Sequence, residues 1–210
     1  MVSKKHFLSV ADKQQIASAI AEIETRTQGE LVAVIASASA DYRAWALVLA
    51  SGTAFLAAAL VLLFTSSLAG TTLLLLESIV FVLGVLVLDL SPSLLMRCIP
   101  GQLKRQAAQR CAREQFIAQR VNQTKQGSGV LLFVSVAERY VEILADHGIN
   151  AHVSPNLWDG MINDFVVSIR SGRIVDGFLD TIRRCGALLQ THYPAQAKNI
   201  NELPNRLIEL

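Results

Sequence analysis

The chain has 210 residues and a net charge of +2, and it is 52% hydrophobic against 17% charged. That length suits one ordinary domain with a small additional element, and the near-neutral balance argues against a nucleic-acid partner. Three cysteines, Cys98, Cys111 and Cys185, are far apart and show no Cys-X-X-Cys or Cys/His spacing, so they read as reduced thiols and not as a metal or disulfide framework.

The opening MVSKKHFLSVADKQQ lacks an apolar stretch, so no cleavable signal peptide is expected there. Ser9 is placed to cap a helix, with Asp12 three residues on as a variant of the capping box. Ile16, Ile20 and Ile23 recur at helical spacing, which predicts a helix running towards Gly29. Glu30 then opens LVAVIAS, an unbroken apolar run of strand length. Such a run suits a strand buried on both faces.

The distribution of charge sets the next segment apart. No Lys or Arg occurs between Arg43 and Arg97. Residues 44–64 carry no charge at all, and residues 72–90 carry Glu77 inside and Asp89 at the end. A helix needs about 20 apolar residues to cross the hydrocarbon core, so 44–90 predicts a two-helix transmembrane hairpin with a short polar turn near residues 65–71. The turn has no basic residue, whereas Arg43, Arg97, Lys104, Arg105 and Arg110 flank the spans. This asymmetry predicts both flanks in the cytoplasm and the turn outside. Trp45 is placed as an interfacial anchor. Glu77 is expected to snorkel to the outer interface or to pair with Ser51, Thr53 or a neighbouring chain.

Gly101 to Lys125 predicts a long polar helix with six basic residues, Lys104, Arg105, Arg110, Arg113, Arg120 and Lys125, and one acid, Glu114. Just under a bilayer they would meet anionic headgroups, each contributing about 1 kcal/mol near the surface. Alternatively they form a solvated face. Gly127 and Gly129 lead into GVLLFVSV, a second buried strand, and Ala137-Glu138-Arg139 turns into YVEILA, where alternation predicts an antiparallel edge. Asp146-His147-Gly148 reads as the loop after it. Trp158, Ile162, Phe165 and Ile169 mark one further helix, and Ile174, Phe178, Ile182, Cys185 and Leu189 another, stopped by Pro194. Residues 196–210 read as a polar tail whose closing LIEL either docks or dangles. Neither soluble piece has a sufficient core alone. Residues 1–43 and 91–195 are therefore expected to form one interrupted domain, an α/β fold with a small mixed sheet between helices.

The stretch GSGVLLFVSVAERYVEILADHGIN, followed by Trp158, Ile169-Arg170-Ser171-Gly172, Asp176-Gly177 and His192-Tyr193-Pro194, resembles the TPM domain, and in particular its bacterial membrane-bound branch. The opening FLSVADKQQIASAIAEIETRTQGELVAVI is similar to that branch's first helix and strand. The resemblance covers about residues 7–43 and 100–195. It implies an α/β/α sandwich, here interrupted by the hairpin, and a place in the bacterial cytoplasmic membrane. The roles it implies are varied: photosystem repair, receptor modulation, and a proposed acid phosphatase activity with divalent-cation binding. The Asp-Xaa-Ala-Gly-type first strand of the secreted relatives has no counterpart in these residues, which puts their cation site in doubt here.

No nucleophile elbow, P-loop, HExxH or dinucleotide fingerprint is present, and Ser135 has no patterned His and Asp nearby. The candidate ligand or interaction residues are Glu30, Glu138, Arg139, Asp146 and Trp158, with His147 and His152 as ordinary loop histidines. Asp146 is the best candidate for a metal, because ligands gather at carboxyl ends of strands and a loop Asp offers a hard oxygen. Its alternative is a turn-stabilising Asp. Glu30 begins one strand and Asp146 follows the end of another, so the sequence does not require them to be close. The expectation is a regulatory or assembly module without a cofactor, its partners the lipid bilayer and an unidentified membrane or membrane-associated protein. The alternative is a Ca- or Mg-dependent phosphatase-like hydrolase.

Overall fold

The computed structural model describes residues 8–65, 69–196 and 201–210. The chain forms two compact units, Met1–Ser39 with Arg105–Leu210, and Ala40–Lys104. In the first unit, α1 (Val10–Glu24) begins with the expected capping box: Asp12 N–H donates to Ser9 Oγ at 3.1 Å and Ser9 N–H donates to Asp12 at 2.8 Å. The helix stops short of Gly29, since Arg26 N–H turns back to Ile23 O and the chain straightens into β1 (Glu30–Ala36).

β1 is buried at every position, as is β2 (Gly129–Ser135). They pair in parallel, Glu30 with Gly129 through Ala36 with Ser135. β3 (Tyr140–Ala145) runs antiparallel to β2 on one edge and alternates in burial as the sequence predicted. The other edge is β4 (Leu207–Glu209), parallel to β1. The closing LIEL therefore docks. Leu210 N–H donates to Ile35 O at 3.0 Å, Ser37 N–H donates to Leu210 O at 3.1 Å, and Lys13 pairs with Glu209 at 2.7 Å. A three-residue strand is too short for periodicity to reveal, which is why composition alone left it a tail. The sheet order is β3-β2-β1-β4.

Because side chains alternate across a strand, Leu31, Ala33, Ile35, Val130, Leu132 and Val134 face one layer and Val32, Val34, Leu131 and Phe133 the other. The first layer is α1, α7 (Pro155–Arg170) and α8 (Ile174–His192), which bring Ile16, Ile20, Phe165, Phe178 and Ile182 to the core. Phe165 and Phe178 meet edge to face at 5.0 Å. The second layer holds Ala112 and Phe116 of α5 (Gly101–Ala118), Val121 and Leu203. The long polar helix is thus seven residues shorter than the sequence suggested. Arg120 takes a left-handed conformation, φ 57°, and starts a single 3-10 turn. Mixed sheet and helices on both faces make the α/β/α architecture that the sequence implied.

The second unit holds α2 (Arg43–Phe64) and α3 (Gly70–Leu90), each long and apolar enough to cross a membrane. Residues 66–68 of the expected turn lie outside the described residues. Ala46, Ala50, Ala54 and Ala58, four apart, are the buried positions of α2. A Cβ on Gly84 would stand 3.3 Å from Ala50 Cβ, so small residues set the approach of the two helices. Ser51 and Thr53 donate to Leu47 O and Ala50 O of their own helix and leave Glu77 with no partner among the described residues. A short helix that sequence reading missed, α4 (Pro92–Cys98), comes next and packs Leu95 with Tyr42, Leu88 and Ile99.

Val34 is fully buried opposite Phe133. We expect Val34→Asp to unfold the first unit, because an unpaired buried carboxylate costs several kcal/mol against a total stability of about 5–15 kcal/mol. Limited proteolysis of residues 105–195 measures this, and unchanged resistance would separate β1 from that domain.

Candidate functional site

The sheet has two polar ends, and the candidate residues divide between them. At the end where β1 and β2 begin, Glu30 accepts from Glu202 N–H at 2.9 Å and from Leu203 N–H at 3.2 Å. It therefore clasps the segment that leads into β4. Beside it, Glu24 in the last turn of α1 accepts from Leu31 N–H at 3.1 Å, close enough to Glu30 for each carboxyl group to shift the other. Burial pushes Glu24 up to about 8, with the Glu30 charge adding to the shift. Burial also raises Glu30, although the two backbone N–H groups oppose it. At neutral pH Glu24 is thus the protonated partner. Glu202 in turn meets Lys125 at 3.4 Å.

Asp146 arrives at the same end. β3 is antiparallel, so its finish lies beside the start of β2: Asp146 N–H donates to Gly129 O at 2.9 Å, and Gly129 is in register with Glu30. Asp146 is no mere loop residue but the N-cap of a short helix, α6 (His147–Asn150). Its Oδ1 accepts from His147 N–H at 2.7 Å and lies 3.0 Å from His147 Nδ1. Its Oδ2 is buried without a hydrogen-bond partner among the described residues. A Cβ on Gly148 would fall 2.7 Å from Gly127 O and 2.8 Å from Tyr193 Oη, so only glycine lets this turn seat against the loop before β2. His147 is exposed, while His152 stacks on His192 with centroids 5.3 Å apart.

At the opposite end, Glu138 is a strut. It accepts from Ser39 N–H at 2.9 Å and from the Ser135 hydroxyl, and Ser39 and Ser135 share a 2.7 Å bond. Arg139 takes φ 54°, the left-handed step that closes the β2–β3 turn. Trp158, in the first turn of α7, reaches into the core, with its indole N–H buried and unpartnered among the described residues. The structure thus brings Glu30 and Asp146 to one end and sets Glu138, Arg139 and Trp158 elsewhere.

Sequence reasoning missed three participants. Glu24 was hidden as one more polar residue of an amphipathic helix. Its signal was position, since an acid in a last turn opposes the helix dipole and needs a reason to be there. Glu202 lay in the apparent tail. Glu142 turns towards α5, where burial raises its carboxyl while Tyr140, Arg113 and Arg105 oppose that. With Arg110 near Glu114 at 3.8 Å and Lys125 on Glu202, four of the six basic residues face acids. Among the described residues no group of three or more His, Cys, Asp and Glu is arranged to hold a metal ion.

Residues 96–188 match the family model of the TPM domain. The likeness to a TPM domain covers 93 of the 210 residues. The matched residues begin after the apolar helices, so β1 and β4 complete the sheet from outside them, and α1 covers it. The fold is shared with the BA42 protein from the psychrophilic bacterium Bizionia argentinensis, known from an NMR structure. That protein superposes with a TM-score of 0.61 at 20% identity over 100% of both chains. No curated protein matches the chain in sequence.

The raised Glu24 carboxyl has a definite sign. Its contribution to stability is full below the ordinary value of 4.5 and is lost as pH rises through about 8. Melting temperature should therefore fall between about pH 5 and pH 9. Glu24→Gln keeps an oxygen for Leu31 N–H and should flatten much of that fall. Parallel curves for both proteins would acquit Glu24.

Proposed function

We propose that the chain is a membrane-anchored regulatory or assembly module, whose TPM domain acts by protein interaction at the cytoplasmic face of a bacterial inner membrane. The observation that carries this reading is the employment of the site carboxylates. Glu30 accepts from two backbone N–H groups, Glu138 from one and Asp146 from one, each within this chain. Oxygens a catalytic cation would need are used to hold the fold. Two helices apolar enough to span, with basic residues confined to their outer flanks, support the anchoring and its direction. One observation favours the alternative, a divalent-cation-dependent phosphatase-like hydrolase: the buried, unpartnered Oδ2 of Asp146.

Two experiments test the proposal. In intact cells, a membrane-impermeant thiol reagent should label Gly70→Cys, and Gln123→Cys only after permeabilisation, each in a background free of native cysteine. The reverse pattern would overturn the orientation. The detergent-solubilised chain should hydrolyse a phosphomonoester at background rate with magnesium, manganese or calcium. Asp146→Asn retains an N-cap acceptor and should move the melting temperature little. A cation present at about 100 times its dissociation constant would add about 2.7 kcal/mol. A calcium-dependent rise of several degrees that Asp146→Asn abolishes, accompanied by turnover, would establish the hydrolase instead.

A further inference from the structure

The second unit contains a groove of about 430 Å³ beside the crossing of α2 and α3. Its walls are Leu49 and Thr53 of α2, Val80, Leu83 and Val87 of α3, and Cys98 at the end of α4. The Thr53 hydroxyl is turned back to Ala50 O at 2.9 Å, so the groove offers a ligand almost nothing but carbon. It arises from the order of sizes along the helices. Alanine every fourth residue and Gly84 bring the backbones together, while the larger side chains flanking that seam stand apart.

One end of this groove is cationic. Tyr42 packs with Leu95 and Ile99, which puts their neighbours Arg43 and Arg97 at the same end as Cys98. Arg97 is exposed, and neither its guanidinium nor that of Arg43 has an ion-pair partner among the described residues. Lys104 Nζ reaches Met96 O at 2.7 Å, beside Arg97. Two acids lie near this end. Asp41 accepts from Arg43 N–H at 3.0 Å. Asp89 is exposed and stands about 100° around the helix from Leu88, and about 200° from Val87.

We propose that this groove is a specific site for one anionic phospholipid, with an acyl chain between α2 and α3 and the phosphate at Arg97 and Arg43. The site rests on the reading that the two helices span a membrane. There the medium around the groove is hydrocarbon, and an acyl chain is the ligand whose chemistry matches a carbon-lined cleft with a cationic mouth.

Native mass spectrometry of the full chain in detergent tests it, with phosphatidylglycerol and phosphatidylcholine of matched chains as probes. One lipid per chain is expected, with phosphatidylglycerol preferred about fivefold, the equivalent of about 1 kcal/mol. Arg97→Gln combined with Arg43→Gln should abolish the preference while one lipid remains. Val80→Trp should fill the groove and remove that lipid, and millimolar inorganic phosphate should not displace it. Adducts without fixed stoichiometry, insensitive to Val80→Trp, would reduce the site to ordinary surrounding lipid and overturn it. Displacement by phosphate would do the same, leaving a bare phosphate site. Alkaline carbonate extraction keeps the two readings apart. A chain that stays in the membrane pellet yet binds no lipid refutes the site alone, whereas a chain released by carbonate refutes the spanning reading and the site with it.

Discussion

The pairing of β1 with β2 is the constraint on which the rest depends. Both strands are buried at all seven positions, and neither can satisfy its backbone or cover its side chains without the other. Yet they are separated in sequence by the whole apolar insertion. Any state with the pairing broken exposes two runs of Leu, Val, Ile and Phe to water. Domain integrity therefore requires a chain that departs from Ser39, forms its two long helices, and returns at α5. The link between Ser39 and the β2–β3 turn through Ser135 and Glu138 secures the point of departure.

Polar residues at the two ends of the sheet do different work because strand direction differs there. The start of β1 and β2 collects the end of β3 and the approach to β4, so four chain segments converge and their N–H groups need acceptors. Glu24, Glu30 and Asp146 supply them. Once Glu24 and Glu30 are buried side by side, both cannot ionise cheaply, and one stays neutral. A protonated glutamate at neutral pH is commonly read as a sign of catalysis. Here the burial that raises Glu24 accompanies its bond to Leu31 N–H and its nearness to Glu30.

What the sequence displayed was whatever repeats over enough residues to leave a period. The two buried strands, the isoleucine stripe of α1, the alternation in β3 and the two long apolar segments are all of that kind, and with the resemblance they were sufficient for the α/β/α class. What it concealed was short or depended on partners remote in sequence. β4 has three residues. α4 is a single segment after a proline, and α6 is one turn that converts an apparent loop aspartate into a helix cap. Glu24 and Glu202 acquire their meaning only from each other's neighbours. The placement of Glu30 with Asp146 was hidden for a simple reason: the start of one strand and the end of another coincide only once β3 is known to be antiparallel and adjacent to β2.

The basic helix shows how far local charge counting misleads. In sequence, α5 and the turn after it set six cations against one acid. In the fold, Glu142 comes from β3 to face Arg105 and Arg113, and Glu202 comes from the last ten residues to meet Lys125. Cations held near acids have less field to offer a headgroup or a partner, because the opposing charge lies well inside a screening length of about 8 Å at physiological salt. Lys104 and Arg120 face no acid among the described residues, nor do Arg43 and Arg97, which lie before α5 where the apolar helices begin and end. Two cations of the flank that looked most basic, Arg105 and Arg113, face Glu142 of β3, and Lys125 meets Glu202 of the C-terminal segment.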